Sequence, residues 1–336
     1  MLTNGIPSTM TTSVSMDNGL VRDENALSDY DMALSLLENN PPENRLDVSM
    51  SYSQYQQLEE SWSQIKSAKG ITEDQRYPYL SYNSLFEIAT VVTVPRDLHE
   101  VAASELRREI MNGIEAHLSL HKPDAIGTIV DSGSVKEKVD DGPYSHSSKQ
   151  SDGVFKYIST DFGLAIMVAI EVGYSESYAA LNRDKNLWLD GHHVKVCVLV
   201  CFKESPRFRN PRRPYENFDA KEEKRQMNLR ANEIMRSSFG PISYRNHKWL
   251  GELKEGFIEV WRHDGAVRYP LIERGQQCDP LPTNIGLRIQ DFYPPEAWQA
   301  ANMPDGDILI NGTVFMKYIK SAMIGTAFDR FSDFVS

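Results

Sequence analysis

The chain has 336 residues, of which 40% are hydrophobic and 25% are charged, and its formal net charge is −11. A chain of this length and composition can bury the core of one large globular domain or two small ones. It contains no run of about 18 apolar residues, which is what a membrane-spanning helix requires. The N-terminal segment MLTNGIPSTMTTSVSMDNGL also lacks the basic start and the apolar stretch of a secretory signal. We therefore expect neither a membrane span nor secretion.

The cysteine content indicates a reducing compartment. The three cysteines are Cys197, Cys201 and Cys278, and a sparse, odd set without a secretory signal is typical of intracellular proteins. This predicts a location in the nucleus or the cytoplasm. Cys197 and Cys201 lie four residues apart in a strand-like run, so their side chains share one face of the strand. We expect both to be small, buried hydrophobic residues and not a metal pair.

The negative charge is concentrated near the N-terminus. Residues 1–60 contain ten acidic residues and two arginines, which amounts to −8 of the net charge of −11 and leaves −3 for the rest of the chain. A nearly neutral remainder neither excludes nor supports a polyanionic substrate such as nucleic acid. The acidic tail is expected to solubilise the chain, and docking to a protein partner is the alternative.

The composition along the chain divides it into three regions. Residues 1–75 are rich in Ser, Asn, Asp, Met and Gln and are predicted to be mostly disordered. Two short helices are predicted within them by apolar spacing, at 26–39 and 52–68. Residues 76–295 are predicted to form a core domain. Residues 296–336 are predicted to be a C-terminal extension, a strand and a helix, that packs on the core.

Within the core domain, the pattern predicts a helix, three strands, a helix and a strand. Their ranges are 96–121 for the first helix, 125–133, 149–158 and 164–173 for the strands, 176–190 for the second helix and 193–203 for the last strand. Ser175 is the expected N-cap of the second helix and Gly191 its stop signal. The last strand is apolar enough to be central in a sheet.

Two acidic residues fall where this order brings neighbouring strands together. Asp152 lies early in the second strand, and Glu171 ends the third. Two carboxylates near one edge of a sheet form the kind of oxygen site that Mg²⁺ or Mn²⁺ prefers. Such an ion can activate water and stabilise the charge that develops on a phosphodiester. The alternatives are a turn aspartate at Asp152, because Gly153 follows it, and a locally satisfied carboxylate at Glu171.

Four short segments of this region follow one another in a distinctive order. They are DSGSV (131–135), KQSD (149–152), IEVGYSES (170–177) and LNRDKNLWLD (181–190). In this order they resemble the PD-(D/E)XK nuclease superfamily, and more specifically a group of fungal restriction-endonuclease-like proteins. The resemblance covers about residues 100–205. It implies an α/β (α+β) fold, a restriction-endonuclease-like αβββαβ core with a mixed central sheet flanked by helices.

The resemblance also implies roles for individual residues. Asp152 and Glu171 would be metal ligands, and the backbone carbonyl of Val172 and waters would complete the coordination of Mg²⁺ or Mn²⁺. The superfamily places a lysine two residues after the second acid, where this chain has Gly173. Lys185 on the following helix is the candidate replacement that would orient the attacking water. Because Lys185 shares the apolar stripe of its helix, a structural role is the alternative.

Two functional hypotheses follow. The first is a Mg²⁺-dependent endonuclease that hydrolyses nucleic acid through Asp152, Glu171 and Lys185. The second is a catalytically inactive nuclease-like scaffold that acts as a binding or protein-interaction module. The missing lysine after Glu171 and the nearly neutral core favour the second. The sequence does not indicate an oligomeric state.

Overall fold

The computed structural model describes residues 28–41, 45–72, 77–121, 127–174, 177–211, 219–235 and 239–335. The helices are α1 Asp29–Asn39, α2 Tyr52–Lys69, α3 Asp97–His121, α4 Tyr178–Asn186, α5 Ala220–Met235, α6 Pro295–Ala301 and α7 Gly312–Val335. The strands are β1 Arg45–Ser49, β2 Tyr79–Asn83, β3 Ile88–Val92, β4 Thr128–Asp131, β5 Lys136–Lys138, β6 Ser148–Gln150, β7 Gly153–Ser159, β8 Gly163–Gly173, β9 Val196–Ser205, β10 Ile242–Tyr244, β11 His247–Leu250, β12 Glu252–Arg262, β13 Gly265–Glu273, β14 Gln276–Gln277, β15 Asn284–Arg288 and β16 Asp307–Leu309. The protein is a mixed α/β protein, as predicted.

The main sheet has seven strands in the order β14-β13-β12-β9-β8-β7-β4. Strands β8 and β9 are parallel, and the other neighbouring pairs are antiparallel. A parallel pair needs a crossover connection, and α4 lies in the connection between β8 and β9. The apolar run VCVLVCF of β9 is buried throughout, as expected for a strand covered on both faces. The prediction of a mixed sheet flanked by helices is confirmed.

Helices cover both faces of the main sheet. The buried side chains of α3 and α7 share one hydrophobic cluster with Ile170 and Val198. The residues that follow α4 and the adjacent face of the sheet form a second cluster, which contains Ala169, Trp188 and Leu199. The predicted order of elements is present as α3, β4, β7, β8, α4 and β9, with β5 and β6 inserted between β4 and β7. None of the helices in the described part of the chain is long and apolar enough to cross a bilayer.

A second sheet is antiparallel and has the order β1-β3-β2-β6-β5. Its strands β1, β2 and β3, together with α1 and α2, surround a separate hydrophobic cluster that contains Leu37, Leu58, Trp62 and Val91. We call the described residues between 28 and 92 the N-terminal module. Strands β5 and β6, which extend its sheet, come from the insertion in the core.

The prediction of a mostly disordered region up to residue 75 needs correction for residues 28–41 and 45–72. These residues form α1, β1 and α2, because their scattered apolar side chains converge on one cluster when the strands of the second sheet pair. The two short helices predicted from apolar spacing are α1 and α2, and each begins after a serine whose side chain caps the first turn. Residues 1–27 lie outside the described part of the chain.

Candidate functional site: a buried ionic cluster

Asp152 and Glu171 lie at the same end of the main sheet. Strand β7 begins directly after Asp152, and Gly153 pairs with Ile170 of β8, so Asp152 stands beside Glu171 across the two strands. Two backbone contacts hold it there. The Asp152 amide donates to the Ile170 carbonyl at 3.2 Å, and the Val172 amide donates to Asp152 Oδ2 at 2.8 Å. The structure thus brings together the two acids that the sequence singled out.

Glu171 is buried, at 3% exposure, and both of its oxygens have partners. Oε1 accepts a hydrogen bond from Trp188 Nε1 at 2.6 Å, and Oε2 lies 3.1 Å from Lys149 Nζ. Burial raises the pKa of Glu171 to about 8. Lys149 opposes this rise in pKa, whereas the carboxylates of Asp152 and Asp184 add to it. Glu171 is therefore an enclosed acid held by specific donors.

Lys149 connects Glu171 to Asp184. Its Nζ lies 2.9 Å from Asp184 Oδ2, and the same oxygen accepts a hydrogen bond from Arg45 Nη1 at 3.1 Å. Burial opposes the charge on Lys149, yet Asp184 and Glu171 hold its pKa well above the ordinary value. Burial likewise opposes the charge on Asp184, but Arg45 and Lys149 hold its pKa below the ordinary value. We call Arg45, Lys149, Asp152, Glu171 and Asp184 the ionic cluster.

Polar contacts continue from Asp152 into the start of α3. His99 Nε2 lies 3.3 Å from Asp152 Oδ2, and His99 Nδ1 lies 3.3 Å from Glu100 Oε1. Glu100 Oε1 also accepts a hydrogen bond from the Tyr77 hydroxyl at 2.9 Å. Burial alone would lower the pKa of His99, but the Asp152 carboxylate outweighs it and the pKa is raised to about 10. His99 is therefore a charged partner of Asp152 at neutral pH.

Lys185 contacts a different part of the protein. Its Nζ lies 3.7 Å from the centre of the Trp261 ring, which is a cation–π contact, and burial lowers its pKa. Consecutive residues of an α-helix point about 100° apart, so Asp184 can contact the ionic cluster while Lys185 contacts Trp261. The lysine that the structure places beside Glu171 is Lys149.

The predicted start of α4 shifts by two residues. Ser175 lies outside the described residues, and the N-cap is Ser177, whose side chain accepts a hydrogen bond from the Ala180 amide at 3.1 Å. The helix continues into a π-helical turn that ends at Gly191, the predicted stop. Gly173, which occupies the position of the superfamily lysine, is the last residue of β8.

The cysteines and histidines near the cluster have structural surroundings. Cys197 and Cys201 are buried between α4 and the main sheet, as predicted. His192 stacks on Trp188 with the ring centres 4.5 Å apart, and burial lowers the pKa of His192 to about 4. His192 is therefore neutral at physiological pH.

Four residues of this site were not predicted from the sequence, and two of the quoted motifs contain three of them. Lys149 opens the KQSD segment, and Asp184 and Trp188 lie in LNRDKNLWLD. These three residues could have been predicted to take part in the site. A charged side chain or an indole N–H within an apolar strand or helix needs a buried hydrogen-bond partner. Arg45 had no such signal, since it lies in a segment with no motif.

The ionic cluster, as folded, does not fit Mg²⁺ or Mn²⁺. The Lys149 ammonium lies 3.1 Å from Glu171 and 2.9 Å from Asp184, so a cation already stands between the two carboxylates. The second oxygen of Glu171 is hydrogen-bonded as well. Val172, whose carbonyl was a predicted ligand, lies opposite Val200 in the parallel ladder. Within the described residues, no three His, Cys, Asp or Glu side chains are placed to hold one metal ion.

Comparisons with protein-family models, with curated proteins and with solved structures give no match for this chain. The fold and the site therefore define its class. It is a mixed α/β protein with a buried ionic cluster at one end of its main sheet.

Proposed function

We propose that the chain is a restriction-endonuclease-like scaffold that acts as a binding or protein-interaction module and, in this folded state, does not hydrolyse nucleic acid. The order of elements supports the first part. In α3, β4, β7, β8, α4 and β9, the first three strands are antiparallel neighbours and the fourth is parallel to the third. This is the αβββαβ order that the resemblance to the PD-(D/E)XK superfamily implies.

The observation that carries the second part is the position of Lys149. Its ammonium lies between the carboxylates of Glu171 and Asp184. Lys149 is 2% exposed, and the acids Glu171 and Asp152 are 3% and 4% exposed. A hydrolase must bring the scissile phosphate into contact with its reacting groups. In this arrangement the acids are enclosed, Lys149 lies between Glu171 and Asp184, and His99 pairs with Asp152, which favours a structural role for them.

The charge distribution indicates the kind of partner. Residues 1–60 hold −8 of the net charge of −11. An acidic segment attracts basic surfaces and repels nucleic acid over distances of about a Debye length. A basic protein surface is therefore the favoured partner of that segment.

The test combines cleavage with metal binding. The purified chain is incubated with plasmid DNA, single-stranded DNA and RNA in the presence of Mg²⁺ or Mn²⁺, and Mn²⁺ binding is measured by calorimetry. We expect no metal-dependent cleavage, and equal Mn²⁺ binding by the wild type and Glu171→Gln. Cleavage that disappears in Asp152→Ala, but persists in the control Asp161→Ala in the exposed β7–β8 turn, would overturn the proposal.

A second candidate function is the Mg²⁺-dependent nuclease. The observation that favours it is the convergence of Asp152, Glu171 and Asp184, whose mutual repulsion contributes to the raised pKa of Glu171. Its ligands would be Asp152, Glu171 and the carbonyl of Val172, and it requires Lys149 to leave its present position. Metal-dependent cleavage in the same assay, lost in Asp152→Ala and in Glu171→Ala, is the result that supports it. Lys185 would then need to move from Trp261 to take part.

A further inference from the structure

The N-terminal module and the main sheet have separate hydrophobic cores. The module buries Leu37, Leu58 and Trp62 in its own cluster. Ile170 and Val198 of the main sheet belong to a different cluster, formed with α3 and α7. Because each part encloses its own apolar side chains, the hydrophobic effect within each does not depend on contact between them.

The seam between the module and the rest of the chain is rich in polar contacts. Its ion pairs and hydrogen bonds include Arg45–Asp184, Asp47–Arg183, Glu59–Lys136, Tyr55–Ser148 and Tyr77–Glu100. Strands β2 and β6, which join the module to the inserted strands, pair at Tyr82 and Ser148. The partly exposed pairs Asp47–Arg183 and Glu59–Lys136 contribute about 0–1 kcal/mol each and are screened by salt. The Arg45–Asp184 pair is mostly buried, with side chains 16% and 11% exposed. The seam therefore combines one mostly buried pair with several weaker, salt-sensitive contacts.

The module lies over the ionic cluster. Arg45 of β1 reaches Asp184, and Tyr79 of β2 is buried next to the same group of charges. Burial raises the pKa of Tyr79, and the charges of Lys149 and Asp152 also act on it. Side chains from two strands of the module therefore help to exclude water from the cluster.

We propose that the N-terminal module is a reversibly docked cover, which opens as a unit about its link to α3 and exposes the ionic cluster. The link is residues 93–96, between β3 and α3. Arg96 at its far end pairs with Asp333 on α7, so that end is fixed to the core and residues 93–95 take up the movement. Opening breaks the seam contacts and the pairing of β2 with β6. It does not require either hydrophobic core to unfold.

Opening of the cover does not depend on the proposed function. The two parts separate in the same way whether the exposed cluster binds a partner, binds a metal ion or does neither. A device of this kind would make access to the cluster depend on ionic strength and on any partner that competes for the seam.

The experiment measures amide hydrogen exchange by mass spectrometry on the full chain. Arg183 lies on α4 and pairs with Asp47 of the module, and both side chains are about a quarter exposed, at 28% and 26%. Arg183→Glu places two acids opposite each other and substitutes no residue of the ionic cluster. Asp47 also pairs with Arg45 of that cluster, at 3.2 Å. We expect the amides that hydrogen-bond between β2 and β6, around Tyr82 and Ser148, to exchange about fivefold faster, because roughly 1 kcal/mol of docking free energy is lost. Amides of β9 in the main sheet should keep their protection.

Two variants and one condition act as controls. Arg183→Lys keeps the charge and should keep the protection of β2 and β6. Arg225→Glu breaks an exposed pair with Glu222 on α5, away from the seam, and should have no effect on those strands. Raising the salt concentration should move the wild type towards Arg183→Glu.

Two results would overturn the proposal. One is unchanged exchange of β2 and β6 in Arg183→Glu. The other is exchange of β2, β6 and β9 at one common rate in the wild type, which would mean that the module and the core open only together. Neither result depends on cleavage or on metal binding, so failure of the cover is distinguishable from failure of the proposed function.

Discussion

Removing the charge of Lys149 is the most direct perturbation of the ionic cluster. Lys149→Met keeps the length of the side chain but leaves the buried Glu171 without its ammonium partner. Breaking a buried ion pair from one side costs about 3–5 kcal/mol. The pKa of Glu171 is about 8 with Lys149 in place, so at pH 7 Glu171 is mostly neutral in the wild type already. At that pH the loss falls on Asp184, whose pKa lies below the ordinary value and which keeps only Arg45 in the variant.

We therefore expect Lys149→Met to lower the free energy of unfolding by about 3 kcal/mol at pH 7. Without Lys149 the folded-state pKa of Glu171 rises further above 8, because its nearest cation is gone. The deficit relative to the wild type should therefore stay nearly constant between about pH 5 and 7. It should grow as the pH rises above about 8, where Glu171 ionises in the wild type but not in the variant.

The assay is urea denaturation of the wild type, Lys149→Met, Glu171→Gln and the double variant. The measurements are made at pH 7 and pH 9. At pH 9 Glu171 is ionised in the wild type, whereas the amide needs no cation, so the double variant should lose about 1.4 kcal/mol less than the sum of the single variants. Losses that add within about 0.5 kcal/mol at pH 9 would refute the reasoning. They would mean that Lys149 does not stabilise the charge of Glu171.

Other buried polar groups give separate tests. The pKa of His192 is lowered from 6.5 to about 4, so its contribution is fully present above pH 6.5 and up to about 3 kcal/mol is lost as the pH falls through 4. In urea titrations between pH 7 and 4, His192→Phe should therefore lose less stability than the wild type, and parallel profiles would contradict this. Arg330→Met breaks a buried pair with Glu204, whose atoms are 3.0 Å apart, and should lower the free energy of unfolding by about 3–5 kcal/mol. A loss below about 1 kcal/mol in the same denaturation assay would show that the pair is not needed. Lys185→Met gives up one cation–π contact with Trp261 and relieves the burial of a charge, so it should change stability by less than about 1 kcal/mol. A larger loss in a thermal melt would indicate a further role for that charge.

The order of elements in the core was predictable because each element carries its own periodic signal. Apolar residues at helical spacing mark α3, and the uninterrupted run of β9 marks a strand buried on both faces. That Asp152 and Glu171 lie next to each other was also predictable, since consecutive antiparallel strands place the start of one beside the end of the other. These inferences need only local pattern and nearest-neighbour pairing.

The partners of these acids were not predictable in the same way. Lys149 faces the cluster from β6, and β6 belongs to the second sheet through its pairing with β2. Arg45 lies 139 residues before the carboxylate that it contacts. The N-terminal module itself has a polar composition, and its few apolar side chains form a core only after β1, β2 and β3 pair. Contacts of this range are set by tertiary assembly, which no window of sequence contains.

The choice between a metal ion and a lysine at this sheet end follows from the exclusion of water. Adjacent carboxylates are stabilised by a cation between them or by a proton on one of them. Mg²⁺ gives up its waters reluctantly and usually keeps several of them, so it favours a site that is open to solvent. An ammonium on a fixed stem needs fewer waters, because two carboxylates can replace them, as Glu171 and Asp184 do around Lys149. Enclosure of the site by the N-terminal module therefore favours Lys149 as the internal cation, and opening of the proposed cover would expose the carboxylates to water.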